Sequence, residues 1–221
     1  METIGRVRVK VCGVIDPENA RMAAESGADF LGLNFYPRSP RYVDAGRARE
    51  IADAVRQLSG QHRDLSLVGV FVNSPAAEIE KISDRVGLDL VQLSGDETPA
   101  EVAPFAGRAI RVFRTGGDPG SDTLEAYGDV WGVLFDAPHS SLYGGTGESW
   151  GYESVAAVAD RRRVFLAGGL GPDNAARAVA ACRPYAIDVC SRVESAPGIK
   201  DPELLLRLFE EVRHGEDKTP S

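Results

Sequence analysis

Between Val7 and Gly13 the chain reads V-R-V-K-V-C-G, and this alternation puts Val7, Val9 and Val11 on one side of an extended strand and Arg8, Lys10 and Cys12 on the other. A strand that buries valines on one face and presents two cations and a thiol on the other does not suit an ordinary two-sided core. It fits the wall of a closed barrel. The valines then pack outward on helices while Lys10 and Cys12 look inward, Cys12 at the carboxyl end, where (β/α)8 enzymes carry their chemistry. Taken alone, Cys12 is open to two readings: a reactive thiol on that rim, or a small apolar residue closing a strand.

The remaining chain decides the architecture. Short apolar runs alternate with capped helical patterns throughout, the signature of βαβ units on a parallel sheet. Strands are expected at Phe30 to Phe35, Leu65 to Val72, Leu90 to Leu93, Ala109 to Phe113, Gly132 to Asp136, Val164 to Leu166 and Ala186 to Val189. Asp16-Pro17, Asp44, Asn73-Ser74-Pro75, Thr98-Pro99 with Glu101, Pro172 and Asp201-Pro202 read as helix starts. Helices are also expected around Leu124 to Tyr127 and over Tyr152 to Ala159, and the last one is expected to end near Val212. Eight consecutive units without a low-complexity linker favour a single (β/α)8 barrel over residues 1–213, with a polar, disordered tail over 214–221. The doubly wound alternative is weakened because no G-x-G-x-x-G follows the first strand.

Composition narrows the function classes. With 221 residues, 43% of them hydrophobic, the chain is long enough for one well-buried domain. A formal net charge of -8 argues against a broad nucleic-acid surface, so an anionic small ligand requires a local positive site. No apolar run reaches the length of a membrane span, and Met1 to Gly5 contains no signal-peptide core; the expectation is a soluble, cytoplasmic protein. Cys12, Cys182 and Cys190 form no C-x-x-C pair, and His62, His139 and His214 are scattered, so no disulfide framework, metal or cofactor is expected.

In a barrel, whatever follows each strand gathers on one rim. Here that rim collects Cys12, Arg41, Asp136, the turn Gly144-Gly-Thr-Gly147, Gly168-Gly169 and Cys190-Ser191-Arg192. With V-K-V-C-G, F-Y-P-R-S-P-R-Y-V from Phe35, V-G-V-F-V-N from Val68, V-Q-L from Val91, G-G-T-G from Gly144, L-A-G-G-L from Leu166 and V-E-S-A-P-G-I-K-D-P from Val193, the chain resembles the phosphoribosylanthranilate isomerases of tryptophan biosynthesis over nearly its whole length.

The resemblance implies an Amadori rearrangement of N-(5-phosphoribosyl)anthranilate. The cysteine matching Cys12 removes the C2 proton, and the aspartate matching Asp136 protonates the ring oxygen. Arg41 matches the arginine that holds the anthranilate carboxylate, with Arg38 as its solvated neighbour. Gly168, Gly169, Ser191 and Arg192 follow strands seven and eight, where such barrels bind phosphate through backbone N–H groups, and Gly145 and Gly147 complete the substrate site. Cys190 has the strand parity of Asp188 but no role in the family pattern, and is read as structural. Lys10 and Asp188 lie on neighbouring strands once the barrel closes, both with interior parity, and are expected to pair beneath Cys12. The implied partner is a phosphorylated small molecule, and the chain is expected to act as a monomer or homodimer.

Several positions depart from the resembled pattern. Ser94 stands where a histidine is common, Glu148 where a lysine often follows G-G-T-G, Ile15 for a threonine, and Cys190-Ser191-Arg192 for S-S-G. Arg192 either adds a cation to the phosphate or blocks its cup. These changes leave two alternatives open: an isomerase of another aminoaldose phosphate, and a non-catalytic phosphate-binding barrel. A synthase of related barrel type needs rim lysines, and none of Lys10, Lys81, Lys200 and Lys218 ends an expected strand.

Overall fold

The computed structural model describes residues 6–58, 65–114, 120–136, 152–159 and 161–218. In chain order the first half comprises β1 (Arg8–Cys12), α1 (Pro17–Glu25), β2 (Phe30–Asn34), α2 (Ala45–Arg56), β3 (Ser66–Phe71), α3 (Ala76–Val86), β4 (Leu90–Leu93) and α4 (Pro99–Val102). The second half continues with β5 (Ala109–Phe113), α5 (Ser121–Ala126), β6 (Gly132–Asp136), α6 (Tyr152–Ala159), β7 (Val164–Ala167), α7 (Ala175–Cys182) and β8 (Ala186–Val189). A hairpin, β9 (Glu194–Ala196) and β10 (Ile199–Lys200), then leads into α8 (Pro202–Asp217). Strands β1 to β8 pair in parallel in chain order, and β8 closes on β1 with Lys10 opposite Asp188. The (β/α)8 barrel expected from the sequence is the fold.

The alternation in β1 works as anticipated. Val7, Val9 and Val11 join the apolar layer between the strands and the surrounding helices. The interior is a separate plug of Phe30, Val68, Leu90, Ile110, Leu134 and Phe165. The inward polar residues of β1 take successive levels. Arg8 lays its guanidinium 4.3 Å from the Tyr185 ring at the amino-terminal end, Lys10 pairs inside, and Cys12 emerges at the opposite rim. Asp16, Asp44 and Asp201 cap α1, α2 and α8 by accepting from backbone N–H groups of the first turns, a contribution of about 1 kcal/mol each.

Four local expectations need correction. Helix α3 starts at Ala76 after Pro75 and has no side-chain cap; Asn73, with φ +52°, instead accepts from the Asp96 N–H and ties β3 to the β4 loop. Pro172 lies in a turn, and α7 begins only at Ala175, because Asn174 bonds back to the Gly171 N–H and the Gly169 carbonyl. The residues after β8 form a 3-10 turn and the β9–β10 hairpin, which the sequence pattern did not reveal. Helix α8 continues past Val212 to Asp217, since buried Gly215 lets it pass close to Ala176 of α7; the expected tail is therefore helical as far as Asp217.

Candidate active site

The rim site is built on β1. Gly32 stands beside Cys12 in the ladder, and a Cβ there would lie 2.7 Å from the Cys12 Sγ, so the glycine leaves the thiol its room. Gly13, with φ +74°, turns the chain away from the barrel and passes under the stem of Arg41, whose Cδ is 2.3 Å from where a Gly13 Cβ would sit. Only glycine suits both demands, left-handed backbone and close approach.

Below the thiol lies the expected ion pair. Lys10 is fully buried, and its Nζ is 2.8 Å from Asp188 Oδ2. Burial works against the charge on Lys10, but Asp188 and the Cys12 thiolate outweigh it, and the ammonium is raised above its ordinary range. Burial pushes the Asp188 carboxyl up against the pull of Lys10, with Cys12 and Asp136 adding to the rise, and its Oδ1 has no hydrogen-bond partner among the described residues.

The Cys12 thiol is held well below its usual value. A hydrogen bond from Cys190 is the largest cause; burial opposes it, and the cations Lys10 and Lys200 add to the lowering. Cys190 is correspondingly pushed up by that hydrogen bond and by burial, so it is the thiol that keeps its proton. This corrects the reading of Cys190 as merely structural. A strand-end thiol lowered by a neighbouring thiol and the charge of two ammonium groups is equipped to take a proton from carbon.

The hairpin supplies the second half of the site. Glu194, at the start of β9, accepts from Arg41 through both carboxylate oxygens, at 2.9 Å from Nε and 2.6 Å from Nη2. The same carboxylate accepts from Lys200 Nζ at 2.7 Å, and Lys200 also donates to the Cys12 carbonyl at 2.6 Å. Burial alone would raise Glu194, yet Arg41 and Lys200 together hold it below the usual carboxylate range. Lys200 ends no barrel strand, so the strand argument passed over it; the hairpin returns its ammonium beneath the rim. Ile15 packs against Gly198 in the hairpin turn, where a Cβ would lie 2.6 Å from its Cδ1.

The other expected site residues are placed as follows. Arg41 is half-buried and Arg38 exposed, the order anticipated. Asp136 ends β6 opposite Ala167 of β7, three strands round the ring from Cys12, and is near enough to Asp188 to repel its charge. Gly168 and Gly169 both adopt positive φ after β7, at +93° and +65°. Ser191 opens the 3-10 turn after β8. Arg192 leans over Gly171 and pairs with Asp173 at 2.7 Å. Ser94 is buried at the end of β4 beside Gln92 and Arg114. Gly145, Gly147 and Glu148 lie outside the described residues.

A sequence model of the family described as N-(5'phosphoribosyl)anthranilate (PRA) isomerase matches residues 9–211. The chain belongs to this family. An N-(5'-phosphoribosyl)anthranilate isomerase of Citrifermentans bemidjiense is 42% identical over 208 residues, covering 93% of this chain and 97% of that protein. The phosphoribosyl anthranilate isomerase structure from Thermotoga maritima superposes with a TM-score of 0.80 at 33% identity, covering 94% of this chain and 98% of that one. A further isomerase structure, in complex with reduced 1-(o-carboxyphenylamino)-1-deoxyribulose 5-phosphate, gives a TM-score of 0.79 at 31% identity over 94% and 98% of the two chains.

Within this isomerase family framework, sequence reasoning missed Glu194, Lys200 and the contact of Cys190 with Cys12. A signal for the first two was present. Glu194 and Lys200 sit six residues apart across Pro197-Gly198, the spacing of a short hairpin that returns a cation to a carboxylate. Among the described residues, no helix is long and apolar enough to cross a membrane.

Proposed function

We propose that this chain isomerises N-(5-phosphoribosyl)anthranilate to 1-(o-carboxyphenylamino)-1-deoxyribulose 5-phosphate, with Cys12 as general base and Asp136 as general acid. The observation that carries the assignment is the Cys12 thiol at the rim, held low by Cys190, Lys10 and Lys200, in a chain of this family.

Asp136 gives its proton to the ring oxygen as the C1–O bond breaks, and the anthranilate nitrogen pushes in to form a protonated Schiff base. The Cys12 thiolate then takes the C2 proton, leaving an enolamine that ketonises to the product. Protons given and taken balance over the cycle, as an isomerisation requires. Such proton transfers by positioned groups are each worth about 10²–10⁴-fold in rate.

Arg41 holds the anthranilate carboxylate. Glu194 engages Nε and Nη2, leaving Nη1 to face the ligand and fixing the plane of the guanidinium. The phosphate is received by backbone N–H groups at Gly168, Gly169 and Ser191; the two glycines after β7 support this, because backbone without side chains and at positive φ lets an anion approach closely. Arg192, held by Asp173 at the side of this loop, contributes charge from the edge without filling the cup. Gly145 and Gly147 are assigned to the substrate site on the G-G-T-G match alone. The three cysteines are free thiols, which supports a cytoplasmic setting for an enzyme acting as a monomer or homodimer.

The test is steady-state conversion of N-(5-phosphoribosyl)anthranilate by the folded protein, with the ketose product identified by chromatography. Turnover is expected. A folded protein that converts only a different aminoaldose phosphate would move the assignment to that substrate, and one that binds phosphate esters without converting any would remove the catalytic reading.

A further inference from the structure

Two of the three thiols stand side by side at the rim. The β1–β8 ladder runs in register from Arg8 opposite Ala186 to Val11 opposite Val189, and Cys12 and Cys190 are the next residues along the two chains. Paired strands lie about 4.8 Å apart, inside the range of roughly 4.4–6.8 Å between Cα atoms that a disulfide spans. Lys200 Nζ reaches both backbones, at 2.6 Å from the Cys12 carbonyl and 3.5 Å from the Cys190 carbonyl, which holds the two residues beside each other. Cys190 has left the ladder, with φ -138° and ψ -92° ahead of the 3-10 turn, and its Sγ is 3.1 Å from where a Gly13 Cβ would sit, so no side chain at Gly13 separates the thiols. Both cysteines are partly exposed at the mouth. Cys182 is different: it is buried on α7, and its thiol donates to the Ala178 carbonyl at 3.2 Å.

From this geometry we propose that Cys12 and Cys190 form an oxidative modification site, closed to a disulfide by hydrogen peroxide. Cys12 is the attacking sulfur and Cys190 the resolving one. The Cys12 thiolate attacks one peroxide oxygen; an S–O bond forms, the O–O bond breaks, and the departing hydroxide takes a proton to become water. Cys12 is now a sulfenic acid. Cys190 then attacks that sulfur, its proton passing to the leaving hydroxyl as a second water departs and the S–S bond forms. In sum, two thiols and one peroxide give one disulfide and two waters. The disulfide consumes the proposed base, so the loss of activity rests on the assignment of Cys12; formation of the bond does not. Family members with serine at the position of Cys190 would lack this route and would leave the Cys12 sulfenic acid open to irreversible oxidation.

The experiment exposes the whole folded protein to hydrogen peroxide at equal concentration, followed by denaturation in N-ethylmaleimide, intact mass and peptide mapping. The expected result is one labelled cysteine of the three, Cys182, with a linked Cys12–Cys190 peptide, turnover lost in proportion to the linked fraction, and both thiols and turnover restored by dithiothreitol. In Cys190→Ser no linked peptide forms, and Cys12 advances to a sulfinic acid that dithiothreitol does not reduce. Three labelled cysteines after treatment, or a Cys12 sulfinic acid without the link in the parent protein, overturns the proposal. Turnover by untreated Cys12→Ala reports separately on the base assignment: if it persists, that assignment fails while the linked peptide still decides the modification.

Discussion

Replacing Lys10 with Met tests the buried charge at the centre of the barrel. The methionine fills nearly the same space, so the change is mainly electrostatic. Lys10 is fully buried and the Asp188 side chain is 8% exposed, so the variant strands a carboxylate whose Oδ1 already has no partner among the described residues. Breaking a buried pair from one side costs about 3–5 kcal/mol. At roughly 2–4 °C per kcal/mol for a domain of this size, the melting temperature should fall by about 6–20 °C. The double variant Lys10→Met with Asp188→Leu removes both charges, and most of the loss should return, because desolvating an ion pair offsets much of its attraction. The pH dependence has a definite sign. In the parent the Asp188 carboxyl is already raised to about 7 by burial, and losing Lys10 raises it further, so the variant's deficit against the parent is level below about pH 7 and grows above it, where the parent's carboxylate ionises beside Lys10 and the variant's does not. Urea unfolding followed by circular dichroism at about pH 6 and about pH 9 measures both effects. A single variant that loses only about 1 kcal/mol, as a surface pair would, or a double variant no more stable than the single, refutes the reasoning.

Other expectations concern the rim. The acid limb of turnover should lie below the ordinary thiol value of about 8.5, and Cys190→Ala should move it to higher pH by removing the largest cause of the lowering; an unmoved limb in a pH–rate profile would contradict this. Glu194→Gln should loosen Arg41 and raise KM more than it lowers kcat, and steady-state kinetics showing the reverse split would argue against a positioning role. Because Arg41 and Lys200 hold Glu194 below its unfolded value of about 4.3, its contribution to stability is present above that pH and is lost as the pH falls through the lower folded value. Acid titration of unfolding should therefore be shallower in Glu194→Gln. Gly32→Ala should displace the Cys12 thiol, whose Sγ lies 2.7 Å from the new carbon, and lower kcat with little change in KM.

The strand core was legible because barrel strands are short apolar runs between strong punctuation: β4, β5, β6 and β8 begin and end at the expected residues. The caps at Asp16, Asp44 and Asp201 were readable for the same local reason, a side-chain acceptor one residue before the helix. Asn73 and Pro172 misled because their partners come from elsewhere in the fold or from an intervening turn; a cap-like residue is recruited by Asp96 in one case, and Asn174 delays the helix in the other. The Lys10–Asp188 pair followed from strand parity plus closure, which needs only the fold class. Glu194 and Lys200 did not, since they lie beyond the eighth strand, where periodicity says nothing about a hairpin folding back under the first. Cys190 was placed correctly at the mouth by parity, but its contact with Cys12 depends on the lateral order of strands and on the missing side chain at Gly13.

The central claim is that a thiolate and a carboxylic acid on one rim divide the proton transfers between them. Its most direct test compares kcat for N-(5-phosphoribosyl)anthranilate in the parent protein, Cys12→Ala and Asp136→Asn, with affinity for the reduced product analogue measured on the same samples. A loss of about 10²–10⁴-fold or more in kcat for each variant, with analogue affinity nearly kept, is the predicted outcome. Turnover surviving in either variant at close to the parent rate contradicts the assignment of that residue and with it the shared proton transfer.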